Sequence, residues 1–270
     1  MKKTDPTFSL QHLKYLKKEK QKQIIIIISR IALLIFILLI WELLTATGAV
    51  DSFIMSSPTR IIKTIGNMYS DGTLFYHSGI TLLETLVGFI LSTIIGTFIA
   101  IVLWWSQTTR KILEPYIVVL NSLPKIALGP IIIIWFGIGF SSIVFMAILI
   151  SVIITIINMQ TAFLNVDKEK ILLLKSMGAS KFQILYKLML PCTIPDFISV
   201  LKINIGMAWV GTIMGEYLSS SAGLGYLIVY GGQVFKLDLV MSATVILCLL
   251  SALMYGAITL AEKLVLKKRN

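Results

Sequence analysis

Few residues in this chain could do chemistry, and most of them sit inside long apolar runs. Asn121, Pro124 and Lys125 interrupt one such run, Lys202, Asn204 and Trp209 mark another, and Glu216 stands near its end. A proline inside an apolar helix frees backbone groups that, in a bilayer, need a polar cavity or a neighbouring helix. A lysine beside them is costly, so an intramembrane charge is read first as a functional residue. Next to an aqueous path, Lys125 would attract an anion. Two other readings stay open: Lys125 pairs with Glu216 or Asp196 to lock a bundle, or it lies nearer an interface. Lys202 and Asn204 form a second polar patch with Trp209 farther along. Glu216 is a gate, a docking contact or a solvated acid. Asp196 and Lys202, six residues apart, do not share a helix face and should not pair with each other.

Other chemistries lack their residues. His12 and His77 have no Cys or carboxylate partners at ligand spacing, so no metal site is expected. Cys192 and Cys248 predict no disulfide. The sequence has no G-x-x-x-x-G-K-[ST] phosphate loop, no H-E-x-x-H pair, no G-x-S-x-G elbow and no His-based triad. Catalysis on this chain is therefore not expected, and any ATP used would be hydrolysed on another polypeptide.

The elements that must position these residues are membrane helices. Of 270 residues, 57% are hydrophobic and 14% charged, and the mean hydropathy is +0.90, too apolar for an ordinary soluble domain. A spanning helix needs about 20 largely apolar residues. Six stretches qualify: Ile24 to Leu44, Ile80 to Trp105, Ile112 to Phe136, Ile143 to Phe163, Ile194 to Met214 and Leu239 to Leu260. The fold expected is all-α and polytopic. Ala46, Gly48 and Ala49 faintly resemble a cleavage site, but the run before them is long and five spans follow, so the first helix is expected to stay uncleaved. Arg30, Glu42 and Glu84 lie near span ends and are expected to snorkel to headgroups. Gly96 and Ala100 give a small-xxx-small spacing that predicts close helix packing.

A net charge of +11 could suggest nucleic acid, but the basic residues fall in alternate loops. Lysines crowd residues 1–23, Arg110 and Lys111 follow the second span, Lys168 to Lys187 follow the fourth, and Lys263 to Arg269 follow the sixth. The intervening loops hold only Arg60, Lys63 and Lys236. The positive-inside rule then makes 1–23 and 263–270 basic cytoplasmic tails of a transmembrane domain over 24–262. The tails face anionic lipid, and nucleic-acid binding is not needed.

Between the fourth and fifth spans lies a Lys-rich polar island, the loop 166–191, which the same rule places in the cytoplasm. Ile171, Leu172 and Leu174 recur at helical spacing, Gly178-Ala179-Ser180 breaks the helix, and Phe182, Leu185, Leu188 and Met189 resume an apolar face before Leu190-Pro191. Such a helix in cytosol either docks a partner or packs on the ends of its own spans. The layout resembles the coupling loop of bacterial ABC-importer permeases, whose pattern is E-A-A, three residues, G, nine residues, an aliphatic residue, one residue, then L-P. From Gly178, Leu188 takes the aliphatic place and Leu190-Pro191 the end, while Leu172, Leu173 and Leu174 stand where E-A-A would. Ser57-Pro58-Thr59, Leu123-Pro124, Gly129-Pro130, Trp135 to Gly139, Ala208-Trp209, Gly215-Glu216 and Gly223 to Ile228 resemble the nitrate/sulfonate/taurine-type permeases.

That resemblance implies a six-span permease subunit of an ATP-driven importer in the bacterial inner membrane, with a cytoplasmic coupling helix between the fourth and fifth spans. It implies a second permease, as a homodimer, two ABC ATPases that bind ATP and Mg, and an extracytoplasmic binding protein; no cofactor is implied on this chain. The ATPase contact would fall on Leu172, Leu174, Gly178, Ala179, Ser180, Leu190 and Pro191. The path would draw on Asn121, Pro124, Lys125, Lys202, Asn204, Trp209 and Glu216. The substrate implied is an aliphatic sulfonate, taurine or similar anion; alternatives are a thiamine or riboflavin-like precursor, or an ion-coupled secondary carrier, which would leave the Gly178 loop without a partner.

Overall fold

A computed structural model describes residues 10–267, and its contacts divide into two units, 1–63 and 64–270. In the first, α1 (Leu10–Ala46) carries the first apolar run, none of which is buried within the protein. The helix begins well before Ile24, so part of the expected basic tail is helical; residues 1–9 and 268–270 of the tails lie outside the described residues. Thr45 Oγ1 donates to the carbonyls of Trp41 (3.1 Å) and Glu42 (2.9 Å) as α1 ends. A short α2 (Ser52–Met55) is capped by Asp51, and α3 (Pro58–Ser70) starts on a proline, where a missing N–H costs nothing. Glu42 does not simply snorkel: its Oε2 accepts from the Thr59 N–H at 3.0 Å, capping α3.

The second unit takes in α3 from Thr64 onward and then α4 (Thr73–Trp105). The third expected span, Ile112 to Phe136, is not one helix. It divides into α5 (Gln107–Ser122), a 3₁₀ turn (Lys125–Leu128) and α6 (Gly129–Phe136), bent by 88° at the break. The cause is local: Leu123, ahead of Pro124, is extended (φ −64°, ψ 137°), the conformation that a following proline favours, and Pro130 restarts the helix. Among the described residues there are thus five long apolar helices, or six crossings if the bent pair counts as one.

Next come α7 (Phe140–Leu164), α8 (Lys168–Ser176), α9 (Lys181–Ile184), a π-turn (Leu185–Met189), α10 (Leu190–Cys192), α11 (Ile194–Ser219), α12 (Leu224–Gln233) and α13 (Leu237–Lys267). The core is α7, which carries no charged residue and packs chiefly on α4 and α11. Small residues allow this approach: a Cβ on Gly88 would come within 2.5 Å of Ala147 Cβ, and one on Gly211 within 2.5 Å of Ala147 Cα. Gly96 meets Thr155 in the same way, so the small-residue spacing at Gly96 and Ala100 does mark a close helix contact. One apolar cluster joins Trp209 and Leu224 to Ala243 and Leu247 of α13; another joins Ala100, Phe163 and Val200 to Ile184 and Met189, rooting the polar loop in the bundle.

Candidate functional site

The Gly178 turn is built from backbone capping. Gly178 has φ +80°, its N–H bonds to the Lys175 carbonyl (3.0 Å), and the Ala179 N–H bonds back to Leu174 (3.0 Å). This is a Schellman motif, which wants glycine at its left-handed position and an apolar contact such as that which Ala179 and Leu174 provide by packing on one cluster. Ser180 then opens α9 in a capping box with Gln183: Ser180 N–H to Gln183 Oε1 is 2.8 Å and Gln183 N–H to Ser180 Oγ is 3.3 Å. The expected apolar face splits in two. Ile171, Leu174, Leu185, Leu188 and Met189 pack inward, while Leu172 (67% exposed), Met177 (74%) and Phe182 (66%), with Leu173 and Tyr186, form an uncovered crest. Leu190 and Pro191, half-buried, lead through Thr193 into α11.

The polar residues of the spans separate into four places. Lys125, half-buried at the break after Pro124, turns its Nζ to the carbonyl of the exposed Asn121 at 3.1 Å. It pairs with neither Glu216 nor Asp196; Lys170 pairs instead with Asp167 and Lys202 with Glu262. Lys202 is held at 2.6 Å by Glu262 of α13, and lines a cavity of about 640 Å³ with Trp209, Tyr217 and Tyr255. Asn204 is buried and fully engaged: its Nδ2 donates to Thr93 Oγ1 (2.7 Å) and Ser92 Oγ (3.3 Å), and its Oδ1 accepts from Thr155 Oγ1 (2.9 Å). It joins α11 to α4 and α7.

Glu216 is neither solvated nor in a loop, being 1% exposed near the end of α11. Its Oε2 accepts from the Gly225 N–H and from the Tyr226 N–H (3.3 Å), while His77 Nδ1 accepts from the Gly223 N–H (3.0 Å) and Thr81 Oγ1 from the Leu224 N–H (2.8 Å). All the N–H groups that open α12, which have no partner within the helix, are thus taken by side chains of α4 and α11. Gly223 (φ +112°) makes room, since a Cβ there would lie 2.5 Å from the Glu216 carboxyl. Glu84, expected to snorkel, is 3% exposed and meets the Glu216 carboxyl.

Sequence reasoning had not singled out Ser92, Thr93, Thr155, Thr81 or Glu262. A signal exists for the first group: Thr81, Thr85, Gly88, Ser92, Gly96 and Ala100 recur every three or four residues and form one buried stripe of α4.

Residues 92–267 match the family described as the binding-protein-dependent transport system inner membrane component, which covers most of this helical bundle and the Gly178 turn. The chain belongs to that family. It is the permease subunit of an ABC importer, a membrane transport component rather than a catalyst, and membership implies an ATPase and a binding protein as partners. A probable ABC transporter permease of Haemophilus influenzae is 29% identical over 223 residues, 82% of this chain and 90% of that protein. The putative aliphatic sulfonates transport permease SsuC of Bacillus subtilis is 27% identical over 234 residues (87% and 85%). The formylaminopyrimidine transport permease ThiX of Halalkalibacterium halodurans is 28% identical over 236 residues (87% and 94%). In fold, the permease resembles a chain of the inward-facing MetNI methionine ABC transporter, with a TM-score of 0.67 at 19% identity over 73% of this chain and 97% of that one.

Proposed function

We propose that the permease pairs with a second copy of itself, receives two ABC ATPases on the Leu172–Phe182 crest, and imports a small anion of the sulfonate or taurine type delivered by an extracytoplasmic binding protein. The exposed crest is the observation that carries this reading. Large apolar side chains held out on a capped helix–turn–helix need a partner to cover them, and leucines in place of an acidic residue at 172–174 make that contact an apolar one. ATP and Mg belong to the ATPases. The loop charge asymmetry supports cytoplasmic tails at 1–23 and 263–270, a permease domain over 24–262, and the coupling loop 166–191 on the same side as the tails.

For the path, we assign the anion contact to Lys125 and the carbonyl-rich break around Asn121 and Pro124. Lys125 is free of any carboxylate, whereas the Lys202 charge is met by Glu262. Trp209 shares the Lys202 cavity and belongs to its wall. Asn204, bonded to neighbouring helices, and Glu216, wedged against Gly223 and Gly225, hold helices in place around the path. Relatives named for aliphatic sulfonates and taurine support the anion. The similar identity of ThiX favours a second reading, a pyrimidine-type precursor.

The deciding experiment reconstitutes the permease with its ATPase and binding protein in liposomes and measures uptake of labelled taurine, a short alkanesulfonate and formylaminopyrimidine. Sulfonate uptake that needs ATP and disappears with Leu172→Asp/Phe182→Asp supports the proposal. Uptake of the pyrimidine alone would replace the anion reading, and ATPase retention by the double variant would remove the crest as the docking surface.

A further inference from the structure

A cavity of about 310 Å³ opens between the α4–α5 elbow and the polar loop. Its walls bring together three cations from three elements: Arg110 in the first turns of α5, Lys175 in the last turn of α8 and Lys181 at the start of α9. No carboxylate lines it, and among the described residues none of the three is in an ion pair. Like charges around one small cavity repel, and a shared anion relieves that. Behind the cations stand Trp104 and Trp105, packed edge to face with centroids 6.2 Å apart, at the end of the apolar α4. Ile171, one turn before Lys175, shares the same face of α8, so this wall borders the crest proposed for the ATPase at Leu172 and turns away from Leu173.

A cationic mouth, a tryptophan pair at the end of a membrane helix and an apolar wall fit a molecule with a phosphate at one end and hydrocarbon at the other. Arginine holds a phosphate in a planar fork while lysines add charge, and tryptophan ranks among the residues that gather at the headgroup level. We propose that this cavity binds the headgroup of an anionic phospholipid, which bridges the α4–α5 elbow to the coupling turn. Free phosphate shares the headgroup chemistry, but it would leave the tryptophans and the hydrocarbon side of the cavity unused. The proposal takes the cytoplasmic orientation argued above only to say which leaflet supplies the lipid. Its test reads binding without transport, so the two readings fail separately.

The test uses the full-length permease purified in detergent, with phosphatidylglycerol and phosphatidylcholine retention followed by native mass spectrometry. Each basic residue near a lipid surface gives roughly a fivefold gain, so three give about 100-fold preference for phosphatidylglycerol. The variant Arg110→Gln/Lys175→Gln/Lys181→Gln should lose that preference, and Lys175→Arg/Lys181→Arg should keep it. If the triple variant does not fold, Lys175→Gln and Lys181→Gln, on exposed side chains, each carry a fivefold loss. An equal loss in Lys17→Gln/Lys20→Gln/Lys22→Gln would mean attraction to the basic tail and overturn the site. Displacement of the lipid by excess inorganic phosphate would make it a free-anion site and overturn the proposal as well.

Discussion

Replacing Asn204 by alanine separates a residue that holds the bundle from one that faces solute. Three hydrogen bonds go with the side chain, at 2.7, 2.9 and 3.3 Å, all to other helices. Interhelical polar contacts in membranes average about 0.6 kcal/mol, which makes roughly 2 kcal/mol for three. Two of the three partners have a fallback. Thr155 Oγ1 also reaches its own helix at the Ser151 carbonyl (2.9 Å), and Ser92 Oγ already donates to the Phe89 carbonyl (3.0 Å). Neither of these hydroxyls is stranded, but Thr93 Oγ1 is buried and has no other partner among the described residues, so one orphaned group adds about 1–3 kcal/mol. Asn204→Leu, which refills the space, should recover packing but none of the bonds. Reversible unfolding of the purified permease in mixed micelles would show Asn204→Ala less stable by about 3–5 kcal/mol, with uptake per folded molecule unchanged. Wild-type stability combined with lost uptake would refute this reasoning and return Asn204 to the path.

Gly178→Val should insert normally but fail to couple ATP hydrolysis to uptake: nothing crowds a Cβ there, so the cost is the left-handed backbone alone, about 1–2 kcal/mol and more for a β-branched residue. Normal uptake in proteoliposomes would count against the capped turn as the coupling element. Gly223→Ala should be worse than a simple strain of about 1–3 kcal/mol, since its Cβ also meets the Glu216 carboxyl; thermal melting of the purified protein would show it, and wild-type melting would mean that α12 starts differently. Lys125→Gln should reduce anion uptake while leaving melting unchanged, because its Nζ holds only the Asn121 carbonyl; a destabilised protein would reveal an ion pair instead.

Sequence periodicity located α1, α4, α7, α11 and α13 because a long apolar run has one outcome in a membrane. It could not give the 88° bend: Pro124 announced a break, but the angle depends on the extended Leu123, the restart at Pro130 and packing on α7. The Gly178 turn was legible since Schellman and capping-box residues act within a few positions of one another. Asn204 and Glu216 were visible as polar residues, yet their partners lie far along the chain, Ser92 and Thr93 for one and Gly225 and Tyr226 for the other. Glu84 was misjudged for the same reason. Its place near a span end suggested headgroups, and only the fold shows that its face of α4 points inward at Glu216.

The clasp on Ala147 limits how this molecule can change shape. Gly88 grips the residue from one side and Gly211 from the other, with Gly215 against Ile143 and Gly96 against Thr155 farther along. Contacts this close leave no clearance for one helix to slide or roll against the next, so α4, α7 and α11 must swing together as a single lever. Any bending is displaced to places where the helical ladder is already irregular: the Lys125–Leu128 turn at one joint, and at the other the π-turn, where the Leu190 N–H reaches back to Leu185. A stroke delivered at the Gly178 turn would therefore arrive at the far end of the bundle with little lost in between. One residue inserted into α7 between Ile143 and Thr155 would jam the mechanism by turning a bulky side chain into the space that only glycine and alanine allow.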